Sequence, residues 1–331
     1  MNSTRDTTLD TARGCCMLSI LLFHTEVYYT GEEIIPYACH VCNSLLTFTF
    51  ISGYLFSKTS IKDFSTRHKF RSMIKGMLLP YLFFTIVLAI PKAIVKDDVT
   101  LSDELLRVVN GHASWYVAAL MVTEVLFILL IRLTRQLPHP TLLLVTGSIV
   151  PFLAMATACQ FIPNEQLQAI NPWCWQSAML MLPFLCIGLL WKQWDMMKYL
   201  DRPTTIVALF IVVAVLKYIV VTHQFTLTLE PIHVSSFMLL FADGLAGAML
   251  ILALCRRLPN ITPLQFVGRH SLIYYFFCGA VPMAVAMALN KCGMPYQGQY
   301  LQVLLAFLLV CIATTAIAWA ILQVFFYKFR R

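Results

Sequence analysis

Arg13 and His24 stand eleven positions apart, with ten residues between them, in the segment LDTARGCCMLSILLFHTEVYY. On an α-helix an eleven-residue step makes about three turns with roughly 20° left over, so both side chains share one face. The same step rises about 16 Å, roughly half of a bilayer's hydrocarbon core. A guanidinium at the membrane edge would sit directly below an imidazole near the midplane, and an imidazole can accept a proton. A histidine buried in lipid is costly unless it has work or a partner.

Other ionisable groups fall inside apolar stretches: Glu124, Lys217 and Asp243, with Glu26 shallower. Each needs a function or a partner, because a charge facing lipid is costly. Lys217 and Asp243 match in depth on consecutive spans, which fits a neutralising ion pair or a midplane binding site equally. Glu124 reads either as a protonated, helix-bridging carboxyl or as an active group. A basic stretch, KTSIKDFSTRHKFRSMIKGMLLPY, carries Lys58, Lys62, Arg67, Lys69, Arg71 and Lys75. Arg71 and Lys75 share a helix face and suit phosphate, although ordinary charge flanking a membrane span is the commoner reason for such a run. In HASWYVAALMVTE, Trp115 and Tyr116 read as interfacial aromatics or as rings for a sugar to stack on. Ser52-Gly53 is a small pair that lets helices approach closely.

These residues need a membrane bundle to hold them. Of the 331 residues, 59% are hydrophobic and only 12% charged, with a mean hydropathy of +0.75. A soluble domain carries about twice that charge fraction. Ten spans are expected, near 14–30, 37–57, 72–95, 113–133, 140–160, 175–194, 203–222, 234–255, 270–290 and 300–325, forming an all-α polytopic bundle. With the N-terminus inside, nineteen Lys and Arg fall on the inner side and four on the outer, which places both termini in the cytoplasm. This asymmetry accounts for the net charge of +8 without a nucleic-acid partner. The connections are short, so residues 1–331 read as one domain, with a multi-pass location in the cell (inner) membrane. Most of the eleven cysteines sit in apolar spans; the C-x-x-C at Cys39 and Cys42 lacks a second pair, and no metal is expected.

In this order the motifs resemble the membrane-bound acyltransferase 3 family. Leu9-Asp10, Arg13-Gly14 and His24 match its opening motif, and Phe48 to Tyr54 its F-F-x-I-S-G-Y segment. Arg71 and Lys75 fall where the family has spaced basic residues ahead of Pro80-Tyr81. His112 with Trp115-Tyr116 resembles its H-x-x-W-F segment, and Gly268 to Leu272 its G-[KR]-x-S-L segment. The chain departs at Cys278, seven residues after Ser271, where the family usually has histidine.

The resemblance implies O-acyl transfer, most often of acetyl. The donor would be cytoplasmic acyl-CoA, acetyl-CoA by default, and the acceptor a hydroxyl of an envelope glycan or its lipid-linked precursor reaching the outer side. It implies His24 as general base or acyl relay, Arg13, Arg71 and Lys75 as CoA-binding residues, and Trp115, Tyr116 and Glu124 on the acceptor side. The competing expectation is a transporter or flippase built on Lys217, Asp243 and Glu124.

Overall fold

A computed structural model describes residues 6–56, 64–95 and 100–329; Lys58 and Lys62 of the basic stretch lie outside the described residues. Its first helices are α1 (Thr7–Thr30), α2 (Tyr37–Tyr54), α3 (Thr66–Met73), α4 (Leu79–Val95), α5 (Leu101–Val109), α6 (Trp115–Thr134) and α7 (Pro140–Phe161). There follow α8 (Asn164–Ala169), α9 (Trp175–Gln193) and α10 (Pro203–Thr222). A hairpin of β1 (Leu227–Leu229) and β2 (Ile232–Val234) leads to α11 (Phe237–Arg257). The chain closes with α12 (Thr262–Arg269), α13 (Ser271–Phe277), α14 (Ala280–Lys291) and α15 (Tyr300–Phe329).

Among the described residues, seven helices are long and apolar enough to span a membrane, or eight if the bent pair α13–α14 is one span. The expected ten included α1 and α2, which fall outside that set. α1 carries Asp10, Arg13, His24 and Glu26, and α2 carries His40, Asn43, Ser44, Thr47 and Thr49. Their polarity follows from burial: Asp10, Glu26, Thr47 and Thr49 are all almost wholly inside protein. α10 is the opposite case, the most apolar span, with only 6% of its window buried. A helix that faces lipid must be apolar all round, whereas one enclosed by protein can carry polar groups that find partners.

The chain forms two compact units, Met1–Ser44 with Ile251–Arg331, and Leu45–Leu250. In the first, α1 packs on α12, α13, α14 and α15. Asp6 caps its start by accepting from the Thr8 N–H at 2.9 Å, and Gly31, in the left-handed region, closes its end. α1 and α12 touch backbone to backbone at two glycines. A Cβ on Gly14 would collide with the Leu264 carbonyl, and one on Gly268 with the Asp10 carbonyl. The span expected at 270–290 is broken by a 50° bend between α13 and α14. Pro282 has no N–H to return to the Cys278 carbonyl, which accounts for a break at that turn.

In the second unit α9 is the central helix, packed on α6 and α7 with 78% of its window buried. Phe127, Ile128, Ile131, Leu144, Leu182, Leu185 and Leu189 make its core. Here too two glycines meet: a Cβ on Gly53 of α2 would strike the Leu185 carbonyl, and one on Gly188 of α9 the Phe50 carbonyl. The small pair at Ser52-Gly53 does permit close helix packing. A π-turn at Ile74–Leu78, in which the Leu79 N–H reaches the Ile74 carbonyl, runs into Pro80 and absorbs the hydrogen bond that proline cannot make.

Gly268→Ala should lower stability by at least about 2 kcal/mol, because a backbone carbonyl cannot yield as a side chain does. Gly76→Ala, where a Cβ would meet open space, should stay within about 1 kcal/mol of the parent. Thermal unfolding in detergent compares the two.

Candidate functional site

α1 runs unbroken from Thr7 to Thr30, so Arg13 and His24 share a helix face as their spacing implies. Asp10, one turn before Arg13, accepts from Arg269 Nε at 3.0 Å. This ion pair ties the opening motif to the G-[KR]-x-S-L segment, directly beside the contact of Gly268 on the Asp10 carbonyl. Arg13 is thereby placed where α1 crosses α12.

Further along α1, Glu26 is fully buried and both of its oxygens are used. Oε1 accepts from Tyr300 Oη at 2.7 Å and Oε2 from the Ile35 N–H at 3.1 Å. It fastens α1 to α15 and to the loop before α2. His40, on α2, shares a 2.8 Å hydrogen bond with Ser19 Oγ through Nδ1. His24 differs from both. Its half-buried ring stacks on Tyr28 at 6.2 Å and meets the edge of Phe23 at 5.4 Å, and among the described residues no hydrogen bond holds either nitrogen. Aromatic neighbours set the ring's orientation while leaving its nitrogens available. Cys278 is buried at the bend between α13 and α14.

The remaining expected residues belong to the second unit. Glu124, 3% exposed, accepts at Oε1 from Lys69 Nζ and Ser52 Oγ, each at 3.2 Å. The Lys69 ammonium also lies 4.2 Å from the centre of the Phe56 ring. Glu124 Oε2 is buried with no hydrogen-bond partner among the described residues. Tyr116 is buried, its hydroxyl donating to the Leu45 carbonyl at 2.9 Å and lying 3.1 Å from Thr49 Oγ1. Its ring joins α6 to α2 and does not stand open for stacking. Trp115, half-buried beside it, keeps more of its ring accessible. Arg71 and Lys75 are exposed, Arg71 on α3 and Lys75 in the π-turn, both free to reach toward a solvated anion.

Lys217 Nζ closes on Asp243 Oδ2 at 2.6 Å, with Asp243 wholly buried. Lys217 thus pairs with Asp243 and Lys69 with Glu124, so each acid has a cation of its own, as structural neutralisation requires. The Lys217–Asp243 contact is the neutralising ion pair that their matching depth offered as one of two readings.

Comparison with known proteins gives one positive result. The family model described as an acyltransferase domain matches residues 6–323, nearly the whole chain. No curated protein and no solved structure matches. The chain belongs to the acyltransferase 3 family, and its helices make it a membrane acyltransferase.

Sequence reasoning passed over Lys69, His40 and the Asp10–Arg269 pair as site elements. Lys69 stood in view as one of six basic residues, and nothing in the local sequence sets it apart from Arg67 and Arg71 on the same helix. If Lys69 neutralises Glu124, Lys69→Met should cost about 3–5 kcal/mol by leaving a buried carboxylate uncompensated. The double variant Lys69→Met/Glu124→Gln should recover most of that. Equal losses in the single and double variants would show that the two groups are not coupled.

Proposed function

We propose that the protein transfers an acyl group, acetyl by default, from acyl-CoA on the cytoplasmic side to a hydroxyl of a cell-envelope glycan or its lipid-linked precursor on the outer side. The observation that carries this reading is the state of His24. It is an ionisable group on α1 whose ring nitrogens make no hydrogen bond among the described residues, whereas Glu26 on the same helix has both oxygens engaged.

His24 acts as general base. It accepts the proton of the acceptor hydroxyl as that oxygen bonds to the thioester carbonyl carbon; the C–S bond then breaks, and the imidazolium returns the proton to the departing thiolate. Arg71 and Lys75 suit the phosphates of CoA, which cannot enter lipid, and their exposure supports this; Arg13 is given the same role by the family resemblance alone. On the acceptor side Trp115 offers the more accessible ring, Tyr116 positions it by locking α6 to α2, and Glu124 lies deeper in the same unit. Placing both termini in the cytoplasm, from the distribution of Lys and Arg, puts Arg13 nearer the donor side than His24.

Purified protein with isotopically labelled acetyl-CoA and isolated envelope glycan tests the proposal. His24→Ala should lose acyl transfer by at least a hundredfold with its unfolding temperature retained. Transfer at the parental rate by that variant would end the role given to His24. Arg13→Ala should raise the apparent KM for acyl-CoA more than that for the acceptor.

A further inference from the structure

His112, which stands in the H-x-x-W-F-like segment, lies in a cluster that acyl transfer does not use. Its ring, the Cys174 thiol and the Glu230 carboxylate place one ligand atom each within 4.8 Å of one another. They arrive from three separate connections: the turn before α6, the turn before α9, and the turn joining β1 to β2. From this convergence we infer a metal site, fitted to zinc, formed by His112 Nδ1, Cys174 Sγ and Glu230 Oε1.

The distances separate this from the alternatives. His112 Nδ1 lies 3.6 Å from Cys174 Sγ and 3.8 Å from Glu230 Oε1. The second separation is too long for a hydrogen bond. On one tetrahedral zinc a nitrogen and a sulfur stand about 3.5 Å apart and a nitrogen and an oxygen about 3.3 Å, so the 3.6 Å pair already has that spacing and the 3.8 Å pair needs to close by about half an ångström. A nucleophilic Cys–His–Glu triad would use the two ring nitrogens separately, one toward the thiol and one toward the acid. Here a single nitrogen faces both, so the three groups point at one place. Thiolate, imidazole and carboxylate together match the donor preferences of zinc.

The carboxylate is also held as a metal ligand is usually held. Its other oxygen, Oε2, accepts from Asn171 Nδ2 at 2.9 Å and lies 2.9 Å from Ser177 Oγ. Asn171 is itself fixed, its Oδ1 accepting from the Gln176 N–H at 3.2 Å. These outer contacts leave Oε1 turned toward the ring, a supporting arrangement that orients first ligands at metal centres. The backbone is constrained at the same place: Trp173 and Cys174 are both left-handed, at φ 58° and 51°, and the Trp173 N–H is bound to the Asn110 carbonyl at 2.6 Å. Cys174 is buried, while His112 and Glu230 are 32% and 12% exposed, so a fourth ligand such as water can enter from one side. A metal here would clasp three connections that already meet through hydrogen bonds and the close approach of Gly111 to Trp173.

The test uses the full chain in detergent, stripped with chelator and then supplied with zinc or cobalt alone. About one equivalent of zinc should be retained per chain by elemental analysis, and cobalt should give a thiolate-to-metal charge-transfer band. Cys174→Ser should abolish that band and Glu230→Gln should weaken zinc binding at least tenfold, whereas Cys159→Ser, on α7, should bind as the parent does. Zinc should raise the unfolding temperature of the parent and not that of Cys174→Ser. Failure of the parent to retain zinc, or an unchanged cobalt spectrum in Cys174→Ser, would overturn the assignment.

Discussion

Close approach of helix backbones at paired glycines is the constraint on which the rest depends. In one unit Gly14 and Gly268 let α1 lie directly on α12; in the other Gly53 and Gly188 do the same for α2 on α9. Between membrane helices there is little hydrophobic gain from association, so surface fit and short-range contact decide which pairs form. Removing the Cβ on both sides brings carbonyl oxygens against the facing backbone. The register of each crossing is then set to within one residue, and so are the polar side chains beside it. Asp10 meets Arg269 because Gly268 sits on the Asp10 carbonyl.

Once register is set, the polar groups sort by whether they have partners. Glu26 gives both oxygens to the fold, Asp243 takes Lys217, and Glu124 takes Lys69 and Ser52. Each of these would be costly unpaired in a low-dielectric interior. His24 lies on the same helix as Glu26 but keeps its ring nitrogens out of the network, and a neutral imidazole is the ionisable group that tolerates this best. Glu26 and Asp243 are thus held by the fold, while His24 makes no hydrogen bond through its ring among the described residues.

Much of the architecture was legible in the chain. The helical character, most of the spans, the small pair at Ser52-Gly53 and the family itself were all readable. Seven or eight of the ten expected spans pass as apolar membrane helices among the described residues; α1 and α2 do not, because polar residues lower their apolarity without removing them as helices. The short amphipathic α12, which falls between two expected spans, proved to be the main partner of α1. Tyr116 looked like an open aromatic, and its burial depends on the position of the Leu45 carbonyl on another helix. The cluster of His112, Cys174 and Glu230 was hidden for the same reason, since its members share no sequence spacing that a metal motif would show.

The sequence by itself determined what depends on neighbouring residues. Apolarity over about 20 residues makes a span, and the pitch of one helix puts Arg13 and His24 on one face. Only the tertiary structure decided which polar group answers which. Asp10 and Arg269 are 259 positions apart, and Glu26 and Tyr300 are 274 apart. No local property of the chain links such residues. Their pairing follows from which helices cross, and the crossings follow from where a missing Cβ lets two backbones touch.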